Sequence, residues 1–296
     1  MVQTSQAAEC PPGRGLALQV LGSGGPVADD GRASSAYLVW QEGRARVLVD
    51  AGGGSFLRFG QANARFEDLD LIAISHFHTD HSADLPALLK SGYFSRRTRS
   101  LLISGPEAGG PFPALEAYIE SLLDPGLGSY AYLAGYLDGS DGLVKLKRVP
   151  VDHHHETPDS VMEESGLRVT ALGVPHGIVP TLAYRVEAAG QSIVFASDQN
   201  GSSEQFSGFA QGATVLVAHL AIPENATGAA RKLHDPASVI GQMAEKSSAG
   251  TLVLSHFMSR SLNDLDKSLA IIRLKFAGDI ILAEDLQCFG LGKYLK

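Results

Sequence analysis

Four side chains that commonly bind metal ions lie within one six-residue segment. His76, His78, Asp80 and His81 follow a short apolar stretch. In an extended segment His76 and His78 point to the same side, because side chains alternate along a strand. Imidazole and carboxylate are suitable zinc ligands. Packing these four groups together without a cation would leave repulsion and desolvation uncompensated. The segment therefore predicts a metal site rather than a solvated polar loop.

Three further candidate ligands each stand where an apolar run ends. His176, Asp198 and His256 all follow such a run directly, and each is followed by loop-forming sequence. One such residue alone would more often be a turn residue or a hydrogen-bonded core histidine. The repeated context favours metal ligands, because strand ends hold side chains precisely.

The elements that must position these residues follow from the period of the apolar residues. Strands are predicted at residues 16–21, 35–41, 45–50, 70–75, 100–104, 143–149, 167–173, 181–187, 191–197, 214–219, 251–255 and 279–283. Helices are predicted at residues 82–94, 113–123, 235–247 and 262–276, whereas 124–142 has no clear pattern. This order suits an α/β fold with two sheets packed face to face and helices outside. We see no linker or repeat, so we predict a flexible tail over residues 1–15 and a single domain over 16–296.

The charge balance restricts the classes of partner. The chain has 24 Lys and Arg against 32 Asp and Glu, a net charge of −8. Proteins that wrap nucleic acid are usually basic, because neutralising phosphates supplies most of their affinity. We therefore expect no extensive nucleic-acid binding. No apolar run approaches the roughly 20 residues that a membrane span requires.

The two cysteines, Cys10 and Cys288, do not form a zinc-ligand pattern. They could be free thiols inside a cell, or a single disulfide in an oxidising compartment. The polar, Pro/Gly-rich start of the chain fits a mature exported N-terminus or a cytosolic tail. Of these locations we favour the periplasm or secretion over the cytoplasm.

The histidine segment, followed in order by His176, Asp198 and His256, resembles the metallo-β-lactamase superfamily, over residues 22–283. The chain is most similar to the ribonuclease Z and arylsulfatase-like branch. The phrases that carry this resemblance are Leu21-Gly22-Ser23-Gly24-Gly25, Val49-Asp50-Ala51-Gly52 and Leu254-Ser255-His256-Phe257-Met258-Ser259-Arg260. The resemblance implies an αββα sandwich of two mixed sheets.

The resemblance also implies two zinc ions per chain, although Mn²⁺ or Fe²⁺ would suit the same mixture of nitrogen and oxygen ligands. The implied ligands are His76, His78 and His176 for one ion, Asp80, His81 and His256 for the other, and Asp198 between them. Such a pair of metals, roughly 3.5–4 Å apart, lowers the pKa of a bridging water towards neutrality, and the resulting hydroxide attacks the substrate. Asp80 and His234 are the candidate catalytic residues.

His234 matches the place where the ribonuclease Z branch has a proton donor for the leaving group. Asp235 replaces the serine of that branch, and we expect it could also cap the next helix. Asp50 is expected to orient a ligand, unless it is only a turn residue. His219 matches a strand-end histidine of the branch, but Leu220 stands where an acidic residue normally follows, which puts any relay built on that acid in doubt.

The walls of the substrate pocket are expected within residues 94–136. The aromatic residues there and beside it are as consistent with the core or with a homodimer interface as with a pocket: Tyr93, Phe94, Tyr130, Tyr132 and Tyr136. The run of three histidines at residues 153–155 is interpreted as a solvated loop.

Asp198 favours a symmetric two-metal site, since typical β-lactamases of the superfamily lack it. The tRNA-processing enzymes carry a long arm between the third histidine ligand and this aspartate. Here His176 and Asp198 are only 22 positions apart. We therefore predict a small ester substrate, most simply a phosphodiester. The alternatives are a lactonase, a β-lactamase-like or arylsulfatase-type hydrolase, or a non-catalytic metal-binding or sensor protein.

Overall fold

The structure is a computed structural model that describes residue 10 and residues 15–291. The predicted tail over residues 1–15 lies outside the described residues, apart from Cys10 and Gly15. The single domain over 16–296 therefore stays a prediction. None of the described helices is long and apolar enough to cross a bilayer.

The described strands form two mixed sheets of seven strands each. The first sheet has the order β14-β1-β2-β3-β4-β5-β6, with β1 Leu16–Gly22, β2 Ala36–Gln41, β3 Arg44–Val49, β4 Leu71–Ala73, β5 Leu101–Pro106, β6 Leu146–Val151 and β14 Cys288–Gly290. The second has the order β13-β12-β11-β10-β9-β8-β7, with β7 Asp159–Glu164, β8 Leu167–Gly173, β9 Leu182–Ala188, β10 Gln191–Phe195, β11 Val215–His219, β12 Thr251–Ser255 and β13 Asp279–Leu282. In both sheets one half is parallel and the other antiparallel.

The helices connect and cover these strands. They are α1 Ser55–Gln61, α2 Thr79–Ser82, α3 Leu85–Tyr93, α4 Leu115–Leu123, α5 Gly135–Asp138, α6 Phe206–Phe209, α7 Gly228–Leu233, α8 Ala237–Lys246, α9 Ser259–Leu262 and α10 Leu265–Arg273. Short 3-10 turns occupy Phe66–Asp68 and Ala131–Leu133.

Strand β2 shows why the chain forms a sandwich. Its successive side chains point to opposite faces of the sheet. Tyr37 and Val39 join the core between the two sheets, whereas Leu38 and Trp40 join the core under the helices of the first sheet. A strand that is apolar on both faces must be covered on both sides. The predicted αββα sandwich is confirmed.

Several elements differ from the sequence-based predictions. The helix predicted at 82–94 is two helices, α2 and α3, because the histidine segment itself becomes helical at Thr79. Helix α1 is an addition to the predicted elements. Strand β7 is another, because it is mostly polar and a bulge between Ser160 and Met162 breaks its alternation. Strand β14, of only three residues, is too short to show a pattern.

Candidate metal centre

The candidate ligands meet because their strands end at the same edge of the sandwich. The loop after β4 carries His76, the loop after β8 carries His176, and β10 leads to Asp198. Strand β11 ends at His219, and His256 follows directly on β12. The ends of adjacent parallel strands lie side by side, which is where α/β sheets place ligand sites.

Three non-glycine residues at these strand ends have a left-handed backbone. The φ angles are 60° at Asp50, 57° at Ser197 and 55° at His256. Such conformations cost about 1–3 kcal/mol each and persist only where the surrounding structure imposes them. Here they turn the chain sharply at the end of β3, β10 and β12, so that carboxylate and imidazole groups face the centre.

His76, His78 and His176 form the first ligand group. His76 Nε2 lies 3.1 Å from His78 Nδ1, and the ring of His176 is 5.0 Å from that of His76 and 5.4 Å from that of His78. His176 Nδ1 donates to the carbonyl of Leu233 at 2.7 Å. The Nε2 atom of His176 therefore carries no proton and offers its lone pair to the centre.

His81, His256 and Asp80 form the second group. Asp80 Oδ2 lies 3.1 Å from His256 Nε2 and 3.6 Å from His81 Nε2. His81 is oriented from behind by Asp50, whose Oδ2 accepts from His81 Nδ1 at 2.7 Å. The backbone N–H and hydroxyl of Ser75 donate to the same Asp50 carboxylate at 2.7 and 2.9 Å.

Asp198 lies between the two groups. Its Oδ2 is 3.6 Å from His176 Nε2 and 3.7 Å from His81 Nε2, while its Oδ1 is 3.4 Å from His256 Nε2. The carboxylate is almost fully buried. A single carboxylate thus faces histidines of both groups.

His219 is held at both ring nitrogens. Its Nδ1 donates to Asp198 Oδ1 at 2.7 Å, and its Nε2 is 3.1 Å from the hydroxyl of Tyr37. That hydroxyl also shares a hydrogen bond of 2.8 Å with Ser255 Oγ. Although His219 is close enough to join a ligand set with His81, Asp198 and His256, neither of its nitrogens is left over. We infer that it orients Asp198, with Tyr37 standing in for the acidic residue that Leu220 replaces.

His234 lies at the rim of the centre, directly after α7. Its Nδ1 is 3.8 Å from Asp198 Oδ2, and its ring is 5.4 Å from that of His176. Burial lowers the pKa of His234 to about 3. The expectation that Asp235 caps the next helix is wrong: the N-cap of α8 is Pro236 and has no side-chain hydrogen bond, while Asp235 is buried.

The donor set fits divalent cations. The Nε2 atoms of His81 and His176 are buried without a hydrogen-bond partner in the described part of the chain, although both face Asp198. Burial opposes charge on Asp198, but His256, His234 and His81 outweigh it and hold the pKa of Asp198 well below its usual range. Burial also opposes charge on His81, but Asp50, Asp80 and Asp198 hold the pKa of His81 well above its usual range. The centre therefore attracts positive charge, which bound cations would supply.

A cavity of about 500 Å³ lies beside His176. It is lined mainly by the segments 109–110, 153–156, 172–179 and 202–205. Within the predicted wall, 94–136, only Gly109 and Gly110 line this cavity, and Phe112 packs 5.7 Å from the ring of His78. Tyr136 is buried and donates to the carbonyl of Leu89. Tyr93, Phe94 and Tyr132 instead surround Lys90 on the surface.

Sequence reasoning missed two residues that support the centre. Ser75 precedes the histidine segment, and its position at a strand end was a usable signal. Tyr37 lies within an apolar strand far from any ligand in sequence. No local pattern distinguishes it from a core aromatic.

Known proteins resemble this chain in sequence and in fold. The family model for the β-lactamase superfamily domain matches residues 45–257. A ribonuclease Z from Mycobacterium sp. (strain KMS) is 29% identical over 252 residues, which cover 82% of this chain and 84% of that protein. The metallo-β-lactamase fold protein YhfI from Bacillus subtilis superposes with a TM-score of 0.71 at 20% identity, over 93% of this chain and 98% of the other. The short form of human tRNase Z superposes with a TM-score of 0.70 at 18% identity, over 93% of this chain and 99% of the other.

The chain belongs to the metallo-β-lactamase superfamily. Within it, the protein is a metal-dependent hydrolase that resembles ribonuclease Z.

Proposed function

We propose that the protein is a two-zinc hydrolase of small phosphodiesters. The position of Asp198 carries this proposal, because its two oxygens face histidines of two separate groups at 3.4–3.7 Å. A carboxylate in that position suits two cations that share it, and paired cations are typical of phosphodiester chemistry.

The chain offers a complete set of ligands for this role. His76, His78 and His176 would hold one ion, and Asp80, His81 and His256 the other, with Asp198 shared. Imidazole with carboxylate suits zinc, and also manganese or iron. Bound there, the ions would supply a nucleophile at neutral pH and stabilise negative charge on the substrate.

The protein's own residues would orient the reaction. Asp50 and His219 fix His81 and Asp198 through hydrogen bonds of 2.7 Å. His234 belongs to neither ligand group, and its Nδ1 lies 3.8 Å from the Asp198 carboxylate that the two groups share. It is therefore placed to donate a proton to a departing oxygen, once the negative charge of a bound phosphodiester has raised its pKa from the value of about 3 in the substrate-free site.

A small substrate is proposed rather than RNA. The residues between His176 and Asp198 hold only the β9–β10 hairpin, whose strands are joined by Ala189 and Gly190. No arm projects from this part of the chain. The net charge of −8 also opposes broad contact with phosphates. These two features distinguish the chain from an enzyme that binds a whole tRNA.

Turnover of a panel of chromogenic esters tests the proposed bond type. We expect the zinc-loaded protein to hydrolyse bis-p-nitrophenyl phosphate faster than p-nitrophenyl sulfate, a lactone or nitrocefin. The zinc-loaded Asp198→Asn variant is the control for background hydrolysis. Faster turnover of the lactone, sulfate ester or nitrocefin would replace the phosphodiesterase assignment by the corresponding alternative. A precursor tRNA cleaved faster than the small diester would overturn the proposed substrate size.

A location outside the cytoplasm is proposed from the cysteines. The structure joins Cys10 to Cys288 in a disulfide, with their Cα atoms 5.3 Å apart although the two residues are 278 positions apart in sequence. It ties the start of the chain to β14, which pairs with β1. Disulfides persist mainly in oxidising compartments.

Removing this bond is expected to lower stability without emptying the metal centre. Loss of a native disulfide typically costs about 2–5 kcal/mol. The Cys10→Ser/Cys288→Ser variant should therefore unfold at lower denaturant concentration, while its zinc content matches that of wild type. The thiol count of wild type, purified without reductant and then denatured, reports the bond directly. Two free thiols in protein recovered from the periplasm would contradict the bond and remove the basis of the proposed location.

A further inference from the structure

All ten histidines of the chain fall into two clusters. Seven surround the two-metal centre, and the other three form the run His153–His155 in the turn between β6 and β7. The sequence-based interpretation of this run as a solvated loop holds only in part. His154 and His155 are exposed, but His153 is half-buried and all three line the 500 Å³ cavity.

We propose that Asp152, His153 and His154 form a third site, for a divalent transition-metal ion such as Zn²⁺. One ligand atom from each residue lies within 4.8 Å of the others. Around tetrahedral zinc, ligand atoms are separated by roughly 3.3–3.6 Å, given metal–ligand distances near 2 Å. Movements of about 1 Å would bring these atoms to the spacing of tetrahedral zinc ligands.

The turn that carries these ligands is already ordered. The backbone N–H of His154 donates to Asp152 Oδ1 at 2.9 Å, and that of His155 donates to the Asp152 carbonyl at 3.2 Å. The turn also lies directly on β8, since a Cβ atom at Gly173 would come within 1.8 Å of the His153 carbonyl. Asp152 Oδ1 accepts the turn hydrogen bond, and its Oδ2 lies 3.5 Å from the exposed His155 Nε2, a contact that a cation in the proposed site would replace.

The side chains of His153 and His154 lie against each other. Their ring centroids are 3.9 Å apart. The Nδ1 atom of His153 is buried and has no hydrogen-bond partner among the described residues. A bound cation would satisfy this nitrogen.

His155 differs from its two neighbours. Its Nδ1 lies 2.8 Å from Asp159 Oδ2, and its Nε2 lies 3.5 Å from Asp152 Oδ2. It is exposed and paired with carboxylates, so it is not one of the proposed ligands. It provides a matched control within the same run.

The site would face the same cavity as the segment that carries His176. Three protein ligands leave one position of a tetrahedral ion open, as in zinc sites that bind exogenous groups. A cation held there would present positive charge to an anionic group inside the cavity. This inference does not depend on which ester the two-metal centre hydrolyses.

Equilibrium dialysis of the metal-free full-length protein against Zn²⁺, with metal counted by mass spectrometry, tests the third site. We expect wild type and His155→Ala to bind about three equivalents of zinc per chain. His153→Ala/His154→Ala should bind about two, because a site that loses two of its three protein ligands no longer holds zinc. His154 is exposed, so the single variant His154→Ala should also lose the third equivalent without disturbing the fold.

Two results would overturn the proposal. One is a wild type that binds only two equivalents; the other is a third equivalent that survives in both His153→Ala/His154→Ala and His154→Ala. Asp198→Asn separates this question from the two-metal centre, because it is expected to weaken the central ions and leave the third equivalent in place.

Discussion

Asp198→Asn is expected to abolish turnover almost completely, with a loss of roughly 10³-fold or more, because the two cations supply several kcal/mol of charge stabilisation. The substitution keeps the shape of the side chain but removes the charge that faces both histidine groups. Burial leaves no solvent to replace that charge. Turnover of bis-p-nitrophenyl phosphate and metal content are measured on the same sample. The metal content should fall below two central equivalents per chain.

Two further variants serve as comparisons for Asp198→Asn. Asp235→Asn changes a second buried aspartate that belongs to neither ligand group, and it should keep both central ions. Tyr37→Phe removes the hydroxyl that holds His219, and it should weaken metal retention by roughly 10–100-fold, as loss of an orienting hydrogen bond typically does. An Asp198→Asn protein that keeps two tightly bound ions and its activity would refute the shared-ligand role.

His234→Ala is expected to lower kcat by roughly 10²–10⁴-fold, the usual contribution of a positioned proton donor. The size of the loss should depend on the leaving group. An alkoxide needs a proton as it departs, whereas p-nitrophenolate departs with little help. The loss should therefore be large for a phosphodiester that carries only alkyl groups and small for bis-p-nitrophenyl phosphate.

Metal content should stay at the wild-type value in His234→Ala, because its Nδ1 lies 3.8 Å from Asp198 and belongs to neither ligand group. His155→Ala serves as the control for removing a histidine from the surface. Equal losses with good and poor leaving groups would contradict proton donation and indicate a role in substrate binding. Loss of metal would instead assign His234 to the ligands.

Much of the fold could be predicted because its strands are apolar on both faces. Runs such as β2, β10 and β11 must lie between two layers, and this requirement defines the sandwich before any contact is known. The elements that were missed are the ones without such a signal. Strand β7 is polar and bulged, and β14 has three residues.

The pocket wall predicted over residues 94–136 stays a prediction. Aromatic residues in 94–136 were candidates for this wall, yet Tyr136 packs in the core and Phe94 is exposed on the surface. The 500 Å³ cavity beside His176 is lined by turns from both sheets, including the histidine run. A concave surface arises from segments distant in sequence, so composition alone does not indicate it.

The sequence by itself determined which residues are candidates to hold metal, because imidazole and carboxylate groups recur at the ends of its apolar runs. Only the tertiary structure decided how they are arranged. The parallel strands bring Asp198 between two histidine groups, and left-handed turns at Asp50, Ser197 and His256 aim the side chains inward. The tertiary structure also places Tyr37 next to His219, because the Tyr37 hydroxyl contacts His219 from the opposite sheet. Such contacts depend on the packing of one sheet on the other, which no local pattern encodes.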